Sequence, residues 1–291
     1  YRQAEAAGYR GPGRQVPSEV RHEEIVRPVV ATTRGIGKRA LILLAPFLFV
    51  CGAHTATADN CRPAQFDEQV SVRYVYDGDT VILEDGRKLR LIGINTPERA
   101  RDERPAEPYA DAAREQLQSL AEGPWSLVYD RDRRDRYGRL LAHIFDSRGR
   151  NLTRRLLENG AGQWLVFPPN LKFADCYRHA QQSARADRRG LWALPAYRVR
   201  EADELAAHDV RHYGLVRGRL TRVGESRSSL WLNLGPEFAL RIARQDLAHF
   251  DRAQIDGWRQ QTLTAQGWFY YRNNQWRLRL RHPLSVLDVT P

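Results

Sequence analysis

Two short polar clusters, Asp77-Gly78-Asp79-Thr80 and Asn95-Thr96-Pro97-Glu98, flank a stretch built to fold back on itself. Val81 and Leu83 alternate before Glu84-Asp85-Gly86-Arg87, and Leu89, Leu91 and Gly93 alternate after it. Asp-Gly between alternating apolar runs is a hairpin signal. Closing that hairpin returns residues 95–98 to the neighbourhood of Asp77 and Asp79, so carboxylate, amide and backbone oxygens converge at one end of a sheet. All-oxygen donors of this kind suit a hard cation, calcium or magnesium. Arg90 lies on the second strand, out of phase with Leu89 and Leu91, and a guanidinium there needs an anion or water.

The chain that carries these clusters has 291 residues and a net charge of +11. That is length for two ordinary domains and a balance that favours an acidic partner. Lys38, Lys88 and Lys172 are the only lysines among 46 basic residues. Arginine grips phosphate through a planar fork where lysine offers a point charge, although a compositional bias of the genome produces the same excess. An envelope structural or partner-binding role would leave the basic charge and the cation ligand set without a use.

Residues 1–35 are polar, rich in Arg and Glu, and without sustained period, which points to disorder or a mis-set start. No Met occurs, even at position 1, so the row is expected to begin inside or upstream of the reading frame. Residues 36–58 have the make-up of a signal peptide: Lys38-Arg39, an apolar run over 40–53, and Ala56-Thr57-Ala58 as a small-x-small site, with cleavage before Asp59. The run is short for a membrane span and Pro46 interrupts it, which favours a signal over an N-terminal anchor. The expected location is periplasmic or secreted. Cys61 and Cys176 then remain, and an oxidising compartment permits a disulfide between them, with two unrelated thiols as the alternative. Closing so long a loop stabilises by about 4–5 kcal/mol in the chain-entropy model.

Periodicity predicts strands over 70–76, 80–83, 87–94, 125–129 and 140–145, and helices over 109–120 and 173–187 with a shorter one around Leu152, Leu156 and Leu157. Residues 99–107 and 130–139 are charged loops, and Pro168-Pro169-Asn170 breaks the chain. Strands wrapped with three helices in a unit of this size suit a small barrel.

Three motifs in register, Asp77-Gly78-Asp79-Thr80, the run from Arg90 to Glu98, and Asp135-Arg136-Tyr137-Gly138-Arg139, resemble the staphylococcal nuclease (thermonuclease) family. Gly190-Leu191-Trp192 after a helix matches the family's end, and the resemblance sets a nuclease domain at 66–195. It implies a mainly β fold with helices, an OB-type barrel, and calcium-dependent hydrolysis of phosphodiester bonds in DNA and/or RNA. On this resemblance Asp79 is a direct metal ligand, Asn95 stands where the best-known member has an aspartate, Thr96 offers its backbone carbonyl, and Asp77 acts through water. Glu98 matches the residue that activates the attacking water, and Arg90 and Arg139 match the two arginines that hold the reacting phosphate. The chemistry is coherent without the name. Guanidinium and metal neutralise an anionic phosphate as charge builds, and a carboxylate takes the proton of the attacking water.

Two departures stand out. Asn95 removes a formal charge from the cation site, and fewer charged ligands mean weaker calcium binding. The family's nucleotide-stacking tyrosines are not cleanly present: Trp164 and Phe167 occupy that zone, as stacking platforms or as core, while Arg136 and Tyr137 keep a nucleotide contact.

Residues 196–211 are Ala-rich and charged, a linker helix or tether. Residues 212–291 show strand blocks around one helical stretch, 244–258, and suit an OB-like accessory domain. Its aromatics interleave with Arg272, Arg277, Arg279 and Arg281, a composition for gripping single strands, although strand alternation puts half of the aromatics in the core. The expectation is an exported nuclease with an accessory barrel. The alternative is a catalytically weak nucleic-acid-binding protein; Arg90, Glu98 and Arg139 argue against it and Asn95 supports it.

Overall fold

The Asp85-Gly86 hairpin forms as its sequence requires: Gly86 takes φ +87°, its N–H donates to the Leu83 carbonyl at 2.9 Å, and Leu83 N–H donates to Arg87 at 2.9 Å. It joins β3 (Thr80–Leu83) to β4 (Lys88–Leu91). Val81, Leu83, Leu89 and Leu91 all point into the core, while Lys88 stays exposed. The structure, a computed structural model, describes residues 61–102, 104–210 and 212–291. The extension over 1–35 and the signal segment over 36–58 lie outside the described residues.

Around this hairpin stand β1 (Glu68–Val70), β2 (Val72–Val75), β5 (Ile94–Asn95), β6 (Trp125–Val128), β7 (Leu140–Phe145) and β8 (Gln163–Trp164), with α1 (Ala110–Ser119), α2 (Leu152–Glu158) and α3 (Ala174–Ala186). The sheet order is β1-β6-β7-β4-β3-β2. Its two edge strands are consecutive in sequence, parted only by Ser71, so one bent segment lies along both edges and closes the sheet into a barrel. Closure leaves no open edge to template aggregation. Cys61 and Cys176 are joined in a disulfide that ties the chain ahead of β1 to α3.

The second half adds β9 (Arg200–Glu201), β10 (Tyr213–Arg219), β11 (Arg222–Ser226), β12 (Ser229–Asn233), β13 (Phe238–Ala243), α4 (Arg252–Gly257), β14 (Thr262–Arg272), β15 (Gln275–Leu280) and β16 (Val286–Thr290). Here the order runs β11-β12-β13-β15-β14-β10-β9, with β16 also paired to β14, and β13 pairs parallel with β15 as β4 does with β7. Apart from the two-residue β9, which is laid on β10, the ends of this order are again one bent segment, β10 then β11, and again a helix lies between the third and fourth strands of the barrel. The second unit therefore repeats the OB-type topology of the first.

Two expectations need correction. Residues 196–211 are not a free tether. Arg200 and Glu201 pair with Val216 and Arg217 of β10, and buried Asp209 accepts from the Ala206 N–H at 2.9 Å. Those pairings override the helical bias of an Ala-rich stretch. The helical stretch 244–258 is broken at Phe250-Asp251, where the Asp251 carboxylate accepts from Ala253 N–H and caps α4 afresh.

The barrels belong to one compact unit and meet through buried glutamines. Gln181 donates to Gln266 Oε1 at 2.7 Å, Gln266 donates to Gln163 Oε1 at 3.1 Å, and Gln163 donates to the Tyr213 carbonyl at 3.0 Å. Replacing Gln266 by Leu leaves buried polar atoms on both remaining glutamines unpaired, at a cost of about 1–3 kcal/mol each. The expected result is a thermal midpoint lower by about 2–4 °C for each kcal/mol lost. A melting curve superimposed on that of the parent protein would show that this triad does not lock the barrels.

Candidate active site

The turn before β3 is wound tightly. Asp79 N–H donates to Asp77 Oδ1 at 3.0 Å, and Thr80 Oγ1 donates to Asp79 Oδ1 at 2.9 Å. The second cluster closes on it: the backbone N–H and the hydroxyl of Thr96 both donate to Asp79 Oδ2, at 2.9 and 3.1 Å. Glycine is needed where the two segments touch, because a Cβ on Gly78 would stand 2.8 Å from the Thr96 side chain and 2.9 Å from Ala113. The hairpin thus brings Asp77, Asp79 and Thr96 together.

Arg90 reaches the same carboxylate. Its Nη2 is 3.0 Å from Asp79 Oδ2, and its Nη1 donates to the carbonyls of Leu91 and Ile94 at 2.7 and 2.8 Å. The guanidinium is held at three points, which fixes one edge of the fork. Asp77 and Asp79 are 8% and 5% exposed. Burial, with the Asp79 charge added to it, pushes the Asp77 carboxyl up to about 7.

Glu98 lies at the exposed rim, and its carboxylate has no hydrogen-bond or ion-pair partner among the described residues. Burial of the carboxyl by surrounding atoms, then the Asp79 charge, raise its pKa above the ordinary carboxylate range, while Arg90 and Arg139 draw it back down. Glu107 acts on Glu98 as well: its Oε2 accepts from Glu98 N–H at 3.0 Å, and its charge raises the same carboxyl. Sequence reasoning missed Glu107, which showed only as the end of a charged loop.

Asp135 was missed as well. Its carboxylate accepts from the N–H groups of Tyr137 and Arg139, at 2.9 and 3.0 Å, and from Arg139 Nε at 2.6 Å. One acid therefore shapes the turn and aims Arg139, and the Asp-x-x-x-Arg spacing was its signal. Tyr137 is 68% exposed, with the Arg136 guanidinium 4.7 Å from its ring. Phe167 is 48% exposed. Trp164 is not available for stacking: it is 1% exposed, part of the barrel core, and pairs with Ile94 across the β5–β8 ladder. A bulky aromatic set against a short interior ladder has no solvent face.

Among the described residues no group of three or more His, Cys, Asp or Glu side chains is placed to hold a metal. The donor set is two carboxylates, the Asn95 amide and the Thr96 carbonyl. Asn95 is half-buried, and its side chain makes no hydrogen bond among the described residues. Two buried acids in one turn, one raised by the other's charge, gain from a nearby cation. The oxygen-only set therefore fits a hard ion.

A family model described as "Staphylococcal nuclease homologue" matches residues 88–194, which include Arg90, Asn95, Thr96, Glu98 and Arg139. Endonuclease YncB of Bacillus subtilis (strain 168) is 32% identical over 134 residues, 44% of this chain and 63% of that protein. The thermonuclease of Staphylococcus intermedius is 33% identical over 129 residues, 43% of this chain and 76% of its own length. That of Staphylococcus hyicus is 30% identical over 131 residues, 44% of this chain and 77% of its own. Identity at this level across three quarters of the length of two thermonucleases means that the chain belongs to the staphylococcal nuclease family.

Proposed function

We propose that the protein is an exported, calcium-dependent nuclease that hydrolyses phosphodiester bonds of DNA and/or RNA by attack of water. The observation that carries this reading is the unengaged Glu98 carboxylate, set within the field of Asp79, Arg90 and Arg139. A base whose proton affinity lies above the ordinary carboxylate range takes a proton from water more readily. Arg90 and Arg139 present planar forks to the equatorial oxygens of a phosphate, where charge grows in the transition state. Asp79, Asp77, Asn95 and the Thr96 carbonyl would hold the calcium ion, which when bound supplies charge neutralisation at the phosphate. Arg136 and the exposed Tyr137 and Phe167 would contact the neighbouring nucleotides. A zymogram on DNA and on RNA, with calcium and then with EDTA, tests the activity; clear bands only with calcium are expected, and no band under either condition would reject it.

Asn95 favours a second reading, a nucleic-acid-binding protein of weak turnover, because the site lacks one charged ligand. Asn95→Asp decides how much that matters. The added carboxylate should tighten calcium binding and lower the calcium needed for half-maximal activity. A calcium titration without a shift would mean that residue 95 does not face the ion.

The Cys61–Cys176 bond fits an oxidising compartment and supports export to the periplasm or beyond. Intact-mass analysis of exported material should find a chain beginning near Asp59 without free thiols. A mass that includes residues 40–53, or two thiols alkylated without reductant, would contradict this.

A further inference from the structure

One row of residues crosses the outer face of the second barrel and ends at Tyr213, where the second barrel meets the first. Trp231 on β12 is opposite Arg241 on β13, which is opposite Arg279 on β15. One position beyond the Phe269–Leu278 pair lies Trp268 on β14, opposite Tyr213 on β10. Leu230, Leu232, Leu240, Ile242, Leu278 and Phe269, the alternate positions, are all core, so the row faces outward. Trp268 is 42% exposed, and its ring lies 4.6 Å from that of Tyr213.

Tyr213 is where the row meets the first barrel. Its hydroxyl donates to the Trp164 carbonyl at 2.7 Å, and Trp164 pairs with the strand that carries Asn95. Arg90 Nη1 donates to the Ile94 carbonyl at 2.8 Å, and Ile94 is the residue that pairs with Trp164, so the junction is joined to the site through the β5–β8 ladder. A second junction lies nearby, where the Arg281 guanidinium stands 4.6 Å from the Phe167 ring.

Arg241 and Arg277 on this face are not consumed by acids. Arg277 stands 4.6 Å and Arg241 5.8 Å from the Trp231 ring, and neither has an acidic partner among the described residues; Arg279 does, in Asp246 at 2.7 Å. Arg277 Nε and the hydroxyl of its cross-strand neighbour Tyr270 are buried without a hydrogen-bond partner. Unpaired buried donors cost stability unless a ligand satisfies them. The exposed Trp268 and the half-buried Trp231 beside guanidiniums without acidic partners offer stacking surfaces with phosphate donors, and the second and third strands of an OB barrel form a face suited to such ligands.

We propose that the outer face of β12, β13, β15 and β14 binds single-stranded nucleic acid running out of the catalytic cleft, with bases stacked on Trp268 and Trp231 and phosphates held by Arg241 and Arg277. This rests on the nuclease reading, since it identifies the strand on the second barrel as the continuation of the one being cut. The second barrel thereby gives the enzyme a preference for long single strands over both short fragments and duplex.

The test uses the full chain and fluorescence anisotropy with a labelled oligothymidylate of about 16 nucleotides, in EDTA, with the strand checked intact on a gel. Trp231→Ala and Trp268→Ala should each weaken binding about 5- to 100-fold. Arg277→Gln should reduce the log–log salt slope by about 0.7, one phosphate contact on a single strand. Hydrolysis of a dinucleotide-sized substrate in calcium should be unchanged in all three, because so short a ligand does not reach the second barrel. Unchanged affinity and slope in folded variants, or a duplex bound as tightly as the single strand, would overturn the proposal. Should Trp268→Ala unfold, because its ring packs on Tyr213, the half-buried Trp231 and Arg277 positions decide alone. A parent protein that binds the strand in this way yet cuts nothing would instead remove the nuclease reading and leave the binding face standing.

Discussion

Glu98→Gln lowers turnover by about 10²- to 10⁴-fold and leaves nucleic-acid affinity nearly intact. The amide keeps the size and rim position of the carboxyl but cannot take a proton from water. Nothing in the fold depends on the charge: the contact that fixes residue 98 is its backbone N–H on Glu107, and Gln keeps that N–H. Loss of turnover with a preserved melting temperature is therefore the signature of the base. Single-turnover cleavage rates for the two proteins, with binding measured separately in EDTA, make the comparison. Equal rates would assign the proton to another group. A large loss of affinity would mean that Glu98 positions substrate rather than water.

The second large effect lies at Arg90, where activity and stability are expected to fall together. Its guanidinium holds Asp79 and two backbone carbonyls at once. Lysine keeps the charge but supplies no planar fork, so it cannot serve that set and a phosphate oxygen together. Arg90→Lys should cost about 10²–10³ in kcat, the size of one lost donor to a developing charge, and should also lower the thermal midpoint. Arg139→Lys should lose activity on a similar scale with little change in midpoint, because Arg139 is half-buried on a loop and its one side-chain acceptor is Asp135. The contrast is what tests the geometry. If both variants lost stability alike, or if Arg90→Lys kept full activity, the three-point anchoring of Arg90 would not be the feature that aims it.

Local rules carried the reading of the first barrel a long way. The Asp-Gly turn, the alternation across Val81, Leu83, Leu89 and Leu91, and the short helix around Leu152, Leu156 and Leu157 are short-range signals, and the residues they govern lie where those signals place them. What was not legible depends on contacts between distant segments. Sequence leaves Trp164 open between stacking platform and core because a two-residue strand is too short to show alternation; its partner in the fold is Ile94, far away in sequence. Residues 196–211 looked like a tether because Ala and charge dominate, whereas Arg200 and Glu201 find a parallel partner only once β10 exists. Glu107 acts through the field of a site assembled by the hairpin, and no spacing rule links it to Glu98. The second barrel was visible as strand blocks around a helix. That its outer row meets the first barrel at Tyr213 follows from docking, through Gln163, Gln181, Gln266 and the Tyr213–Trp164 bond, contacts that no motif announces.

The central claim is that water, activated at Glu98 in a calcium-loaded site, attacks the phosphodiester. Cleavage of a short DNA oligonucleotide in ¹⁸O-labelled water, with the products weighed by mass spectrometry, tests it most directly. The account predicts one solvent oxygen in each new phosphate when calcium is present, and intact substrate when EDTA replaces it. Product phosphates without solvent oxygen, or cleavage undiminished in EDTA, would contradict it.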